Sequence, residues 1–129
     1  MNNNKFLYQE LTGKIIHCCI DVHKELGCGF LEKVYQEALA IVFKEEGIEF
    51  EREKHLPIQF RGTTLQCDYI ADFVVDNKVI SELKALAHLE PLFEAQVINY
   101  LRATGLQVAL LINFGQKELQ VKRIAANIY

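Results

Sequence analysis

The chain has 129 residues, 50% hydrophobic and 24% charged, with a formal net charge of −3. That length holds one ordinary hydrophobic core and leaves little room for a second, so residues 1–129 are read as a single domain. The mild acidity excludes a wholesale polycation, and any surface for nucleic acid has to be a local patch.

The polar opening Asn2-Asn3-Asn4-Lys5 lacks an apolar signal segment, and the first seven residues are expected to be mobile. Ile15, Ile16, Cys19, Ile20, Val22 and Leu26 recur at helical spacing behind a capping Thr12, which predicts a helix that stops at Gly27. A second helix is predicted over 30–46, with Gly47 as its stop. Alternation begins at Ile48 and runs to Phe60, with Pro57 at a strand end or edge and a turn over 61–63. Strands over 65–75 and 78–84 follow, joined through Asp76-Asn77. Pro91 opens a third helix that carries Phe93, Val97, Tyr100 and Leu101 and ends near Gly105. A buried strand over 107–114 and an alternating one over 118–124 complete the order ααβββαββ, an α/β (α+β) arrangement.

The longest apolar runs, such as 108–112, fall far short of the roughly 20 residues that cross a membrane, so a cytoplasmic protein without membrane contact is expected. Cys18, Cys19, Cys28 and Cys67 form no CxxC pair and are read as buried free thiols. His17 and His23 lie six apart on one helix, and His55 and His88 stand in separate segments, which argues against a zinc site.

Three polar placements carry functional weight. Glu32 falls on the helical stripe of Tyr35, Leu39 and Phe43, where a carboxylate needs a cation, a metal or a donor; the alternative is a helix-start glutamate turned to solvent. On the hairpin, Asp68, Ile70, Asp72 and Val74 share one face, as do Ile80, Glu82 and Lys84. A two-residue loop would send Asp72 and Glu82 to opposite faces. A three-residue loop or a one-residue bulge pairs Val75 with Val79, sets the two acids across from each other, and is the arrangement predicted. Facing carboxylates need positive charge, from a divalent cation or from Lys84 as a plain salt bridge. Third, Gln96 shares with Phe93, Val97 and Tyr100 the face expected to pack on the sheet, either aimed at the same interior or satisfying a backbone group.

Gly29-Phe30-Leu31-Glu32-Lys33-Val34-Tyr35 resembles the signature of the GxxExxY proteins, grouped with the PD-(D/E)xK nuclease-like superfamily. Ser81-Glu82-Leu83-Lys84-Ala85 resembles that family's (D/E)xK strand, Gln96-Val97-Ile98-Asn99-Tyr100-Leu101 its QxxxYL helix, and Leu110-Leu111-Ile112-Asn113-Phe114-Gly115 its following strand. Ala71 stands before Asp72 where the superfamily's name has proline. The resemblance implies a restriction-endonuclease-like mixed sheet flanked by helices and a nuclease acting on DNA or RNA. It implies Asp72, Glu82 and the Leu83 carbonyl as ligands of Mg²⁺ or Mn²⁺, Glu32 as a helix-borne acidic partner, and Lys84 as the group that orients or activates water. Gln96 and Tyr100 would shape the site. Mg²⁺ is commonly held by one or two carboxylates plus water and substrate phosphate, which suits this set. The other reading is a non-catalytic module that keeps the fold for binding nucleic acid or a protein. The acidic charge also suits a protein partner that delivers substrate, and exposed strand edges are compatible with a homodimer.

Overall fold

The computed structural model describes residues 7–126. The expected mobility of the first seven residues falls outside the described residues except at Leu7, which packs against the core and whose carbonyl accepts a hydrogen bond from Arg123.

Helix α1 spans Gln9–Leu26 and α2 spans Glu32–Glu45. Thr12 does not cap α1, which starts after Tyr8; Thr12 sits inside the first turn and its hydroxyl donates back to the Gln9 carbonyl at 3.1 Å. Gly27, at φ 69°, ends α1 as the pattern predicts. Ile15, Cys18, Cys19 and Val22 of α1 and Tyr35, Leu39 and Phe43 of α2 enter one core cluster. Of the four cysteines only Cys18 and Cys19 are buried, whereas Cys28 and Cys67 lie on the surface, which corrects the expectation for those two. Neither follows a helical or strand stripe into the core, so their apolar character alone misplaced them.

Five strands follow: β1 (Phe50–Phe60), β2 (Thr63–Val75), β3 (Val79–Lys84) and, after helix α3 (Pro91–Thr104), β4 (Val108–Asn113) and β5 (Gln120–Ala125). They form one sheet in the order β1-β2-β3-β4-β5, antiparallel except for the β3–β4 pair. Helix α3 makes the crossover that a parallel pair requires. The element order and the mixed sheet flanked by helices are those read from the sequence. One face of the sheet carries the α1/α2 core; the other carries a second cluster with Val97 and Leu101 of α3. All six residues of β4 are buried because it lies between the two clusters.

Two local features place the end of β3. At the hairpin, Asp76 and Asn77 take φ of 52° and 55°, and the Lys78 N–H donates to the Val75 carbonyl at 3.0 Å. Two left-handed residues make the tight turn, and Lys78 is the extra residue that lets Val75 pair with Val79. Beyond β3, buried Asn113 receives the Leu86 N–H at 2.9 Å and donates to the Leu86 carbonyl at 3.0 Å. Gly115 runs so close to this segment that a Cβ there would fall 2.2 Å from the Leu86 nitrogen, a space only glycine leaves open. The chain leaving Lys84 is thus tied to the buried strand beside it. No described helix is long and apolar enough to cross a membrane.

Candidate metal centre between two diverging strands

β2 and β3 pair through Val75 with Val79, Val74 with Ile80 and Phe73 with Ser81. One step further, Asp72 and Glu82 stand opposite each other, in the register that the three-residue loop demands. Their backbones do not continue the ladder. The Asp72 N–H donates instead to Glu82 Oε1 at 2.9 Å, and the Leu83 N–H donates to Asp72 Oδ2 at 2.8 Å. Each carboxylate replaces a ladder carbonyl, so the amides stay satisfied while the strands part.

The parting coincides with a roll of β2. Phe73 and Val75 belong to the α1/α2 core, but Tyr69 and Ala71, of the same parity, belong to the α3 cluster. Across from Asp72 the β1 pairing skips Glu53, whose φ is 52°. Strict alternation therefore fails at Asp72, and the expectation that Asp68, Ile70, Asp72 and Val74 form one working face is corrected. Asp68 lies apart from the site with His55, 3.0 Å away, and Ile70 is half exposed.

The roll turns Asp72 toward α2. There Gln36, only 5% exposed, donates from Nε2 to Asp72 Oδ1 at 3.0 Å, while its Oε1 accepts from Arg52 Nε on β1 at 2.8 Å. Sequence reasoning missed both residues. Gln36 directly follows Tyr35 on the buried side of α2, and a buried glutamine there was signal enough to ask for its partners. Glu32, Lys33, Gln36, Asp72 and Leu83 line a cleft of about 210 Å³.

Electrostatics disfavour ionising both acids together. Burial, then the neighbouring Asp72, pushes the Glu82 carboxyl up to about 7, against the lowering effects of Tyr69, the Asp72 N–H and Lys84. Burial also raises Asp72, opposed by the Leu83 N–H, Gln36 and Lys84. Glu32, raised by burial and lowered by Lys84, stands at the exposed start of α2 rather than within its buried stripe. That corrects the stripe placement: the helix begins at Glu32, and its first residue overhangs the cleft at the rim.

Lys84 does not neutralise the pair as a salt bridge. Its Nζ lies 4.4 Å from the centroid of the Phe93 ring and makes no ion pair within 4.0 Å with any described residue. Tyr100 reaches the site indirectly: its ring stacks on Tyr69 at 3.7 Å between centroids, and Tyr69 adjoins Glu82. Gln96 is exposed, which corrects its expected place against the sheet. Val97 and Leu101 form the buried centre of α3, so Gln96 falls on the flank, between the turns that carry Phe93 and Tyr100.

The Tyr69 hydroxyl is buried without a well-aligned hydrogen bond although Glu82 is its neighbour, and burial, then that charge, pushes its acidity far down. Tyr69→Phe is accordingly expected to change stability by less than about 1 kcal/mol, because no full hydrogen bond is lost. Tyr69→Ala, which removes the stacked ring, should cost about 3–5 kcal/mol. Urea unfolding of the two variants separates ring from hydroxyl.

Among the described residues no three Asp, Glu, His or Cys side chains converge as a full cage for a metal ion. The donor set is smaller and still suits a hard cation. Asp72 and Glu82 expose carboxylate lone pairs beyond those taken by the three N–H donors, and no described cation pairs with either acid within 4.0 Å.

A family model described as the PD-(D/E)XK nuclease superfamily matches residues 9–124. No curated protein matches the sequence. Among solved structures, the fold is similar to an alkaline exonuclease (LHK-Exo) from Laribacter hongkongensis, with a TM-score of 0.53 and 14% identity over 74% of this chain and 56% of that one. It is also similar to the crystal structure of SSO0001, with a TM-score of 0.58 and 16% identity over 95% of this chain and 62% of that one. This chain spans less than two thirds of either, and at such identities the likeness concerns the fold.

Proposed function

The chain belongs to the PD-(D/E)XK nuclease superfamily, and from that premise we propose that it hydrolyses phosphodiester bonds of DNA or RNA with Mg²⁺ or Mn²⁺ as cofactor. The observation that carries the reading is the crossed contact of Asp72 and Glu82, two acids brought together in a partly buried gap with no described cation paired to them. Mutual repulsion in such a gap is a cost that a divalent ion would remove.

In this reading Asp72 and Glu82 hold the ion, the Leu83 carbonyl adds an oxygen, and Glu32 supplies negative charge from the rim. When bound, the ion polarises a phosphoryl oxygen and makes water more acidic. Lys84, steadied against Phe93, orients the attacking water and offsets charge developing on the phosphate. Tyr100 supports Glu82 through the Tyr69 ring, and Gln96 offers its amide to substrate from the exposed flank of α3. The reading takes 1–129 as one nuclease unit of the GxxExxY kind, working in the cytoplasm. Its acidic surface favours a protein partner that presents the nucleic acid, and a homodimer is compatible with its open sheet edges.

The test is cleavage of single- and double-stranded DNA and RNA, each with Mg²⁺, Mn²⁺ or EDTA. Cleavage of at least one substrate should need the metal and should fall a hundredfold or more, roughly, in Asp72→Ala. Binding without turnover on every substrate would favour the non-catalytic module; turnover in EDTA would remove the metal from the reaction.

A further inference from the structure

We propose that Gln36 and Arg52 form a relay that positions Asp72 for the cation, an inference that rests on the metal-dependent reading above. The amide of Gln36 is used at both ends: Nε2 donates to Asp72 Oδ1 at 3.0 Å, and Oε1 accepts from Arg52 Nε at 2.8 Å. An amide has no intrinsic preference for which end faces a carboxylate, and a wrong turn would set two oxygens against each other. Arg52 removes that freedom, because its N–H can be met only by the amide oxygen. The NH₂ is thereby committed to Asp72.

The consequence for Asp72 is geometric. Oδ2 is fixed by the Leu83 N–H and Oδ1 by Gln36, so rotation about the last side-chain bond is blocked from both sides. The carboxylate plane is thereby held, and with it the directions of the lone pairs left free, which is the condition for a pre-formed ligand. Groups that orient metal-binding carboxylates in this way commonly change metal affinity by about 10–100-fold when removed. Arg52 makes no ion pair within 4.0 Å with Asp72 or Glu82; it acts through the amide.

The experiment measures Mn²⁺ affinity by electron paramagnetic resonance or calorimetry, with thermal unfolding followed in parallel. Its subjects are wild type, Asp72→Asn, Gln36→Leu, Arg52→Ala and the Gln36→Leu/Arg52→Ala double variant. Wild type should bind Mn²⁺, and Asp72→Asn should not; failure of either overturns the metal reading and the relay with it. Gln36→Leu should weaken binding by about 10–100-fold and Arg52→Ala by about tenfold. The double variant should be no weaker than Gln36→Leu, since the two act in series. Wild-type affinity in both single variants, with Asp72→Asn still defective, would overturn the relay while leaving the metal site standing. Additive losses would also overturn it, because Arg52 would then act by its own route. Arg52 is exposed, so its variant keeps the test open even if Gln36→Leu folds poorly.

Discussion

Glu82→Gln is expected to stabilise the metal-free protein at pH 8 and, in the same variant, to remove about a thousandfold or more of metal-dependent cleavage. The first effect follows from proton linkage. In the unfolded chain the carboxyl titrates near 4.5, whereas burial and Asp72 hold it at about 7 in the fold. Below the lower value both states are protonated and the shift has no effect. Between the two, the folded state keeps a proton that the unfolded state has released, so stability falls as pH rises. Above the higher value the loss is complete, at most about 3 kcal/mol. Asp72, raised for the same first cause, adds a loss of the same sign.

Glutamine at position 82 keeps an oxygen for the Asp72 N–H and has an NH₂ to offer the neighbouring Tyr69 hydroxyl. It carries no charge to repel Asp72. We expect a gain of about 1–3 kcal/mol at pH 8 and none at pH 4, measured by urea unfolding in EDTA. Parallel pH profiles for wild type and variant would contradict the linkage. With Mn²⁺ present the order should reverse, because only wild type gains stability by binding.

The same residues explain how far the sequence could be read. The element order was legible because its stops and turns have local causes: Gly27, Gly47, Gly105 and Pro91 act on the backbone whatever surrounds them. The pairing of Asp72 with Glu82 was legible too, since parity and loop length together admit few registers. Three things were not. Parity assumes an unbroken pleat, so the roll that turns Asp72 to α2 escaped it. Gln36 and Arg52 meet across α2 and β1, and no spacing within one element announces a contact between two. Gln96 was misplaced by assuming a wide buried stripe, whereas α3 buries only Val97 and Leu101 fully. The facing of the two acids was legible, and the contacts that hold Asp72 in place were not.

Lys84→Met should lower cleavage by roughly a hundredfold to a thousandfold while leaving Mn²⁺ affinity unchanged or slightly tighter. The ammonium contacts the Phe93 ring and pairs with no described acid within 4.0 Å, so its removal strands no described carboxylate. Methionine retains the apolar stem, and the lost cation–ring contact should cost about 1 kcal/mol or less. Its field matters more: Lys84 lowers the proton affinity of Glu32, Asp72 and Glu82 together. A fixed positive charge repels a cation from these oxygens as it repels a proton, so above the Glu82 value of about 7, where proton competition is over, its loss does not weaken metal binding by this route. A lysine kept beside a cation site despite that penalty is explained if its charge is needed when the phosphate becomes more negative in the transition state. Mn²⁺ titration and single-turnover cleavage of the one variant divide the outcomes. Affinity and activity lost together would make Lys84 a support for the carboxylates, and cleavage at the wild-type rate would remove it from the reaction.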